Sequence, residues 1–268
     1  MTKKVSLLSV LLVLGLTLLL VGCSSTNDVA QGIEGEGNVA VKLANTEVMP
    51  QDLDSAGIDV EVFNEDGDLI ESKNIKSNQQ SVKLDLPKGT YSIKAVGYNN
   101  VEVKDFNIKA DIANGEATNV VVKSQENTSV ELKLESLLNN KEKEGDVSAQ
   151  APAAPLDYVR VFLVESSLYG QESISRYQMS TDENHGGSQL FIYTLDVGYG
   201  YSELAEMNGS SASVEKVYEE LLDLDNDGII DSRAKVWDAS GYESGRFYYE
   251  NTSTNSPWNT ESTTLYIR

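Results

Sequence analysis

The 268-residue chain has one cysteine, one histidine and half as many basic as acidic residues. A single thiol closes no disulfide within the chain and builds no Cys-based zinc site. A single histidine, His185, excludes a histidine-rich zinc site and obliges any Ser-His-Asp triad to use it. Its neighbours, Glu183-Asn184-His185-Gly186-Gly187-Ser188, make a polar loop with no strand-to-helix nucleophile elbow, so His185 is expected to be an exposed loop residue and not a catalytic base. Phosphate-cradling glycine loops and dinucleotide fingerprints are missing as well. Lys and Arg number 21 against 42 Asp and Glu, a net charge of −21. Such a chain repels nucleic acid and anionic headgroups and favours divalent cations, so no nucleic-acid partner is expected. Carboxylates are so common that no particular pair points to glycosidase chemistry. No catalytic residue is assigned.

A run long enough to span a bilayer, ~20 apolar residues, is also missing. The apolar stretch from Val5 to Leu20 is shorter, follows Lys3-Lys4 and reads as a secretory signal. The next residues complete Leu20-Val21-Gly22-Cys23, which resembles the lipobox of bacterial lipoproteins. That resemblance implies diacylglyceryl transfer to the Cys23 thiol, cleavage before Cys23 and acylation of the new amino terminus. Residues 1–22 are then a signal peptide. The mature chain is held to a membrane by lipid, outside the cytoplasm, at the outer membrane or cell surface of a bacterium. With its one thiol lipidated, the exported part is stabilised by apolar core, metal or both.

Residues 23–37 carry almost no large apolar side chain and read as a flexible tether. Residues 137–155 pass from a charge run into an Ala/Pro spacer, a linker between modules at 38–136 and 156–268. The first module alternates with period two: Val39, Val41, Leu43; Ile58, Val60, Val62; Val82, Leu84, Leu86; Tyr91, Ile93, Ala95; Val130, Leu132, Leu134. Half-buried antiparallel strands give that pattern, and Asp66-Gly67 marks a hairpin. The fold class expected is mainly β, with an antiparallel β-sandwich first. Leu86-Pro87-Lys88-Gly89-Thr90-Tyr91-Ser92-Ile93-Lys94-Ala95 resembles a segment of the transthyretin-like, carboxypeptidase-regulatory-like sandwiches of bacterial surface proteins. The stretch from Asn114-Gly115 to Val122 is similar to their closing strands. The resemblance implies Tyr91 and Ile93 in the core and says little about activity.

Of the chain's 20 aromatic residues, 16 lie in 156–268. Strands are expected at 158–164, 189–195, 233–238, 245–250 and 263–267. Val214, Val217, Tyr218, Leu221 and Leu222 fall at helical spacing after Ser213, a candidate cap, so the second module is expected to be mainly β with one short helix. Asp223-Leu224-Asp225-Asn226-Asp227-Gly228-Ile229-Ile230-Asp231 resembles the calcium loop of EF-hand and dockerin repeats. Calcium takes 6–8 oxygens at ~2.3–2.6 Å, and alternating acids on a curled backbone converge on one point. The resemblance implies one calcium, held by Asp223, Asp225, Asp227, the Ile229 carbonyl and Asp231. Gly228 supplies the turn, and Ile230 pins the loop to the core. The twelfth position is Ala234 where the family has an acid; Glu219, Glu220 and Asp238 are candidates to complete the sphere. The plain alternative is an acidic hairpin turn. Calcium is expected to stabilise the second module alone.

Trp258, in Ser256-Pro257-Trp258-Asn259-Thr260, and Trp237 are candidate ligand-binding aromatics, while Phe247 and Tyr249 alternate as core. The function expected is that of a non-enzymatic, lipid-anchored envelope protein with a binding or structural role, its partner a protein or a glycan. The alternatives are an envelope hydrolase acting on polysaccharide or peptide through C-terminal carboxylates, and a purely structural spacer.

Overall fold

The computed structural model describes residues 36–49, 55–138, 155–212 and 214–268. The expected signal peptide with Leu20-Val21-Gly22-Cys23, residues 23–35 of the expected tether, residues 139–154 of the expected linker and Ser213 lie outside them. The described chain is mainly β, as the alternating pattern requires, and its one helical element is a short 3-10 turn at Thr46–Val48. None of its helices is long and apolar enough to cross a membrane.

The described residues form four sheets. In the first, β1 (Glu36–Ala44) lies between β4 (Ser81–Pro87), antiparallel to it, and β7 (Asn127–Lys133), parallel to it. In the second, β2 (Ala56–Phe63) and β5 (Gly89–Val103) are central, flanked by β3 (Leu69–Lys76) on one side and by β6 (Phe106–Val122) and β8 (Glu135–Ser136) on the other. The expected alternation is the observed one. Val39, Val41, Val82, Leu84, Leu86 and Leu132 meet Ile58, Val60, Val62, Tyr91, Ile93 and Ala95 in a single core. Each of the Val, Leu and Ile side chains, taken fully out of water, contributes ~1.5–3 kcal/mol. The Asp66-Gly67 hairpin is closed by Asn64, whose side-chain oxygen accepts the amides of Asp66 and Asp68.

The third sheet has the order β10 (Gly170–Ser173), β9 (Tyr158–Ser166), β11 (Leu190–Val197), β14 (Ser232–Asp238), β13 (Glu215–Leu222). The fourth is β12 (Gly200–Met207), β15 (Gly245–Ser253), β16 (Thr260–Ile267). The third sheet is buried on both faces. Ile192, Val161, Trp237 and Val164 face Phe247, Tyr249, Met207 and Leu265 of the fourth sheet. Phe162, Tyr193, Leu195, Ala234, Val236, Leu222 and Leu224 join the core of the first module. Burial on both faces explains why β9 and β11 read as nearly continuous apolar runs.

The short helix expected at 214–222 is a strand instead. β13 pairs antiparallel with β14, and a bulge between Lys216 and Tyr218 shifts the alternation by one residue. Tyr218 and Leu222 therefore turn inward while Val217 and Leu221 stay exposed, and the shift mimics helical spacing in sequence. The unpaired side of β14 and the β propensity of Val217 and Tyr218 decide for the strand.

The two modules are docked. The long β5–β6 hairpin reaches across the third sheet. Phe106 packs edge-on to Tyr193 at 5.7 Å, and Lys104 lies over the Tyr218 ring at 4.6 Å. Arg160 donates to the Lys109 carbonyl, and the Asp111 amide donates to the Tyr158 hydroxyl. At the centre, Arg176 of the second module enters a ring of acids on the outer face of the second sheet. It donates to Asp111 at 2.6 and 2.8 Å and to Glu61 at 2.5 Å, with Asp59 at 3.8 Å. Burial opposes the guanidinium's charge, but the Asp111 and Glu61 carboxylates outweigh it and hold its pKa above the ordinary value.

Candidate metal centre

The acidic loop joins β13 to β14, so it opens one end of the third sheet. Its backbone curls through Asn226 (φ +60°) and Gly228 (φ +88°). The second is the position where the turn calls for glycine. Asp223 accepts the amides of Asp227 at 3.1 Å and Gly228 at 2.8 Å, one on each carboxylate oxygen. Asp225 accepts the Asp227 amide, and Asp227 accepts the Ile229 amide at 2.8 Å. These bonds gather three carboxylates so that one oxygen from each of Asp223, Asp225 and Asp227 lies within 4.8 Å of the others.

Asp231 stands at the foot of the loop, its Oδ2 accepting the Leu224 amide at 3.0 Å. Desolvation, then the carboxylates of Asp225, Asp227 and Asp223, push its pKa up to about 6. Asp225 is raised for the same reasons: burial first, then Asp227 and Asp223. The four acids thus form one electrostatic group that favours either protons or a cation. Its donors are hard oxygens on a tight backbone, which suits calcium. Asp223, Asp225 and Asp227 would hold the ion, while Asp231, the fourth acid expected to ligate it, lies at the foot of the loop outside that group; Ile229 is exposed at the loop tip, its amide tied to Asp227.

The residues around the loop are placed differently from expectation. Ala234, at the twelfth position, is buried in β14. Glu219 is taken by Lys216 at 2.6 Å and Arg233 at 3.4 Å, and Glu220 accepts from the Tyr218 hydroxyl. Asp238, at the opposite end of β14, accepts the Ser240 amide. The side chain that pins the loop is Leu224, fully buried, not Ile230, which is half-buried. Leu224 lies in the core shared by both modules, and the Asn99 amide of the first module donates to its carbonyl at 2.8 Å. The loop is therefore held by both modules.

His185 is buried, not exposed: its relative accessibility is 1%. The loop folds under the C-terminal strand, where the His185 amide donates to the Arg268 carbonyl. Glu172 organises the turn, accepting the amides of Asp182 and Glu183 and lying 3.0 Å from His185 Nε2. Burial opposes the Glu172 charge, but these amides and the ring outweigh it and hold its pKa below the ordinary value. Ser166 Oγ lies 3.1 Å from His185 Nδ1, so a serine, a histidine and a glutamate do line up. The group is closed, however: Ser166 is buried and accepts the Tyr169 amide, and the Tyr169 ring covers the imidazole edge-on at 5.4 Å. Its work is to fasten β10 and the 181–188 loop to the C-terminal strand.

The two tryptophans part company. Trp237 is buried, its Nε1 donating to Thr194 Oγ1 at 2.9 Å and its ring against Tyr249, so it offers no face to a ligand. Trp258 is 62% exposed. It holds a left-handed backbone, φ +61°, a conformation uncommon for a bulky residue, and presents its ring to solvent. The same module holds a polar cluster not foreseen from the sequence, with Asp196, Lys235, Tyr249 and Asn251 buried and Glu203 half-buried beside them. Its one signal was a lysine in the middle of the apolar strand Val236-Trp237 leads out of, Arg233-Ala234-Lys235.

No curated protein matches the chain. Among solved structures, the chain is similar to a "putative adhesin" from Bacteroides ovatus ATCC 8483, at 13% identity over 92% of this chain and 87% of that chain, with a TM-score of 0.30. A second "putative adhesin" from Bacteroides ovatus is 11% identical over 86% of this chain and 76% of that one, with a TM-score of 0.22. Superpositions this loose support no statement on the fold or function of this chain. Residues 151–267, the second module with its acidic loop, match the family described as a domain of unknown function, DUF4879.

Proposed function

We propose that the protein is a non-enzymatic component of the bacterial cell envelope, lipid-anchored through Cys23, with a binding or structural role and a second module stabilised by one calcium ion. The observation that carries the calcium part is the convergence of Asp223, Asp225 and Asp227 within 4.8 Å on a loop whose own amides orient them. Calcium supplies the positive charge that lets these carboxylates stay ionised side by side, and so keeps the loop folded beneath Leu224. The exposed ring of Trp258 is the surface feature best suited to stack on a glycan or seat a protein partner. The anchor reading rests on Leu20-Val21-Gly22-Cys23 alone.

The test has two arms. Cells fed a labelled fatty acid should transfer label to the wild-type chain and none to Cys23→Ser, and an unlabelled but exported wild type refutes the anchor. Calorimetric titration of the protein with calcium should give one site of about 10⁻⁴–10⁻³ M, as in extracellular modules. Absence of binding at those concentrations refutes the metal.

A further inference from the structure

Between the third and fourth sheets the apolar core is interrupted by one polar cluster. Lys235, on β14, is completely buried, and Asp196, on the neighbouring β11, is 1% exposed. Lys235 Nζ lies 2.5 Å from Asp196 Oδ2, 2.7 Å from Glu203 Oε1 and 2.9 Å from the Tyr249 hydroxyl. Asp196 Oδ2 also accepts the Tyr249 hydroxyl at 2.8 Å and the Asn251 amide at 2.7 Å. A Cβ at Gly200 would overlap the Asn251 carboxamide, so glycine there makes room for this donor. Asp196 Oδ1, in contrast, is buried with no hydrogen-bond partner. Trp237, Phe247 and Tyr249 close the cluster off in the surrounding core.

We propose that Lys235 and Asp196 become joined by an intramolecular isopeptide bond, Nζ to Cγ, with Glu203 carrying the protons. An amine and a carboxyl held in contact in a dry core react as one molecule, at effective concentrations no solution reaches. The ordinary objection, that water favours the separated ions, loses force where both ions are out of water and costly to keep there. Glu203 takes a proton from the Lys235 ammonium and passes it to the Asp196 carboxylate, leaving a neutral amine and a neutral acid. The nitrogen lone pair then forms the bond to Cγ, and the C=O electron pair moves onto Oδ2. The Tyr249 hydroxyl and the Asn251 amide already point at that oxygen and stabilise its developing charge. Glu203 removes a second proton from the nitrogen and delivers it to the Oδ1 hydroxyl, which leaves as water while the C=O reforms. Ammonium plus carboxylate become amide plus water, and no oxidant or co-reactant is needed. The oxygen lost is the one without a partner, so the reaction also removes a buried unsatisfied group, which costs about 1–3 kcal/mol.

Glu203 is suited to this part. It reaches inward to Lys235 and outward to Lys216, at 2.9 Å, which is exposed and connects the cluster to solvent. Burial opposes its charge, but Lys235 and then Lys216 outweigh it and hold its pKa below the ordinary value, so Glu203 is ionised when the reaction starts, and its part as proton carrier rests on its contact with Nζ. The bond would tie two adjacent central strands of the sheet on which both modules lean.

Tryptic digestion of the full-length protein, followed by mass spectrometry, tests this directly. The expected product is peptide 177–216 joined to 234–246, lighter than the sum by one water, with no cleavage after Lys235 and with fragment ions that place the link on Asp196; a link placed on Glu203, in the same peptide, overturns the assignment. Glu203→Gln should fold, as judged by a cooperative melt, and yield the two peptides unlinked. A folded wild type that releases linear 177–216 and is cleaved after Lys235 overturns the proposal, leaving a buried ion pair only. A link from Lys235 to 247–268 with loss of ammonia would place the bond on Asn251 and overturn the assignment to Asp196. If Glu203→Gln links as the wild type does, the proton-carrying role falls. The wild-type digest decides the bond by itself should that variant not fold.

Discussion

Changing Asp231 to asparagine separates a calcium loop from an acidic turn, because the two readings predict opposite signs in opposite conditions. Asp231 has its pKa raised to about 6, by burial first and then by Asp225, Asp227 and Asp223. A carboxyl whose folded pKa lies above its unfolded value of about 3.9 binds its proton more tightly when folded, so without metal this group favours folding as pH falls from about 6 toward 4 and opposes it above. A shift of about two units corresponds to about 3 kcal/mol, and half-exposure screens that to about 1–1.5 kcal/mol at pH 7. Asparagine keeps an acceptor for the Leu224 amide and loses the charge. In chelator at pH 7, Asp231→Asn should therefore raise stability by about 1 kcal/mol, or the melting temperature by about 2–4 °C. In calcium the order should reverse. Binding to the folded state adds RT ln(1 + [L]/Kd), about 1.4 kcal/mol at ~1 mM for a Kd of about 10⁻⁴ M, and the variant gives up most of it. The assay is a calorimetric melt of the protein lacking residues 1–22 and carrying Cys23→Ser, in calcium and in chelator. Because Leu224 sits in the shared core and accepts from Asn99, the shift is expected across both modules and not in the second alone. If the difference between wild type and variant is the same in calcium as in chelator, the loop binds no calcium.

Limited proteolysis should cut first at Lys141, Glu142, Lys143 or Glu144, in the charge run that the sequence reads as a linker. The fragments should co-elute on native gel filtration because their cores are continuous, and early separation would contradict the docked arrangement. Arg176→Leu should cost about 3–5 kcal/mol in urea denaturation, since it leaves the buried carboxylates of Asp111 and Glu61 facing each other unpaired. A loss below about 1 kcal/mol would mean that water reaches those acids freely.

The period-two runs from Val39 to Leu134 determined the first sandwich. A strand with one dry face must alternate, and nothing beyond the strand is needed to see it. The acidic loop was legible for a similar reason, since its ligand spacing is a property of eight or nine consecutive residues. His185, Lys235 and 214–222 were not legible. His185 has polar neighbours in sequence, but its buried surroundings come from Ser166, Glu172 and Arg268. Lys235 looks like a surface lysine until β12 and β15 close over it with Glu203 and Tyr249. The stretch before the acidic loop has helical spacing only because a bulge against β14 displaces one residue. What the sequence by itself determined was local: alternation, turn chemistry and the spacing of acids along one loop, each enforced by neighbours along the chain. The tertiary structure decided which polar groups are buried and which modules touch. Those outcomes depend on partners a hundred residues away, such as Asn99 with Leu224 or Arg176 with Glu61, and only the closing of one sheet over another removes the water between them.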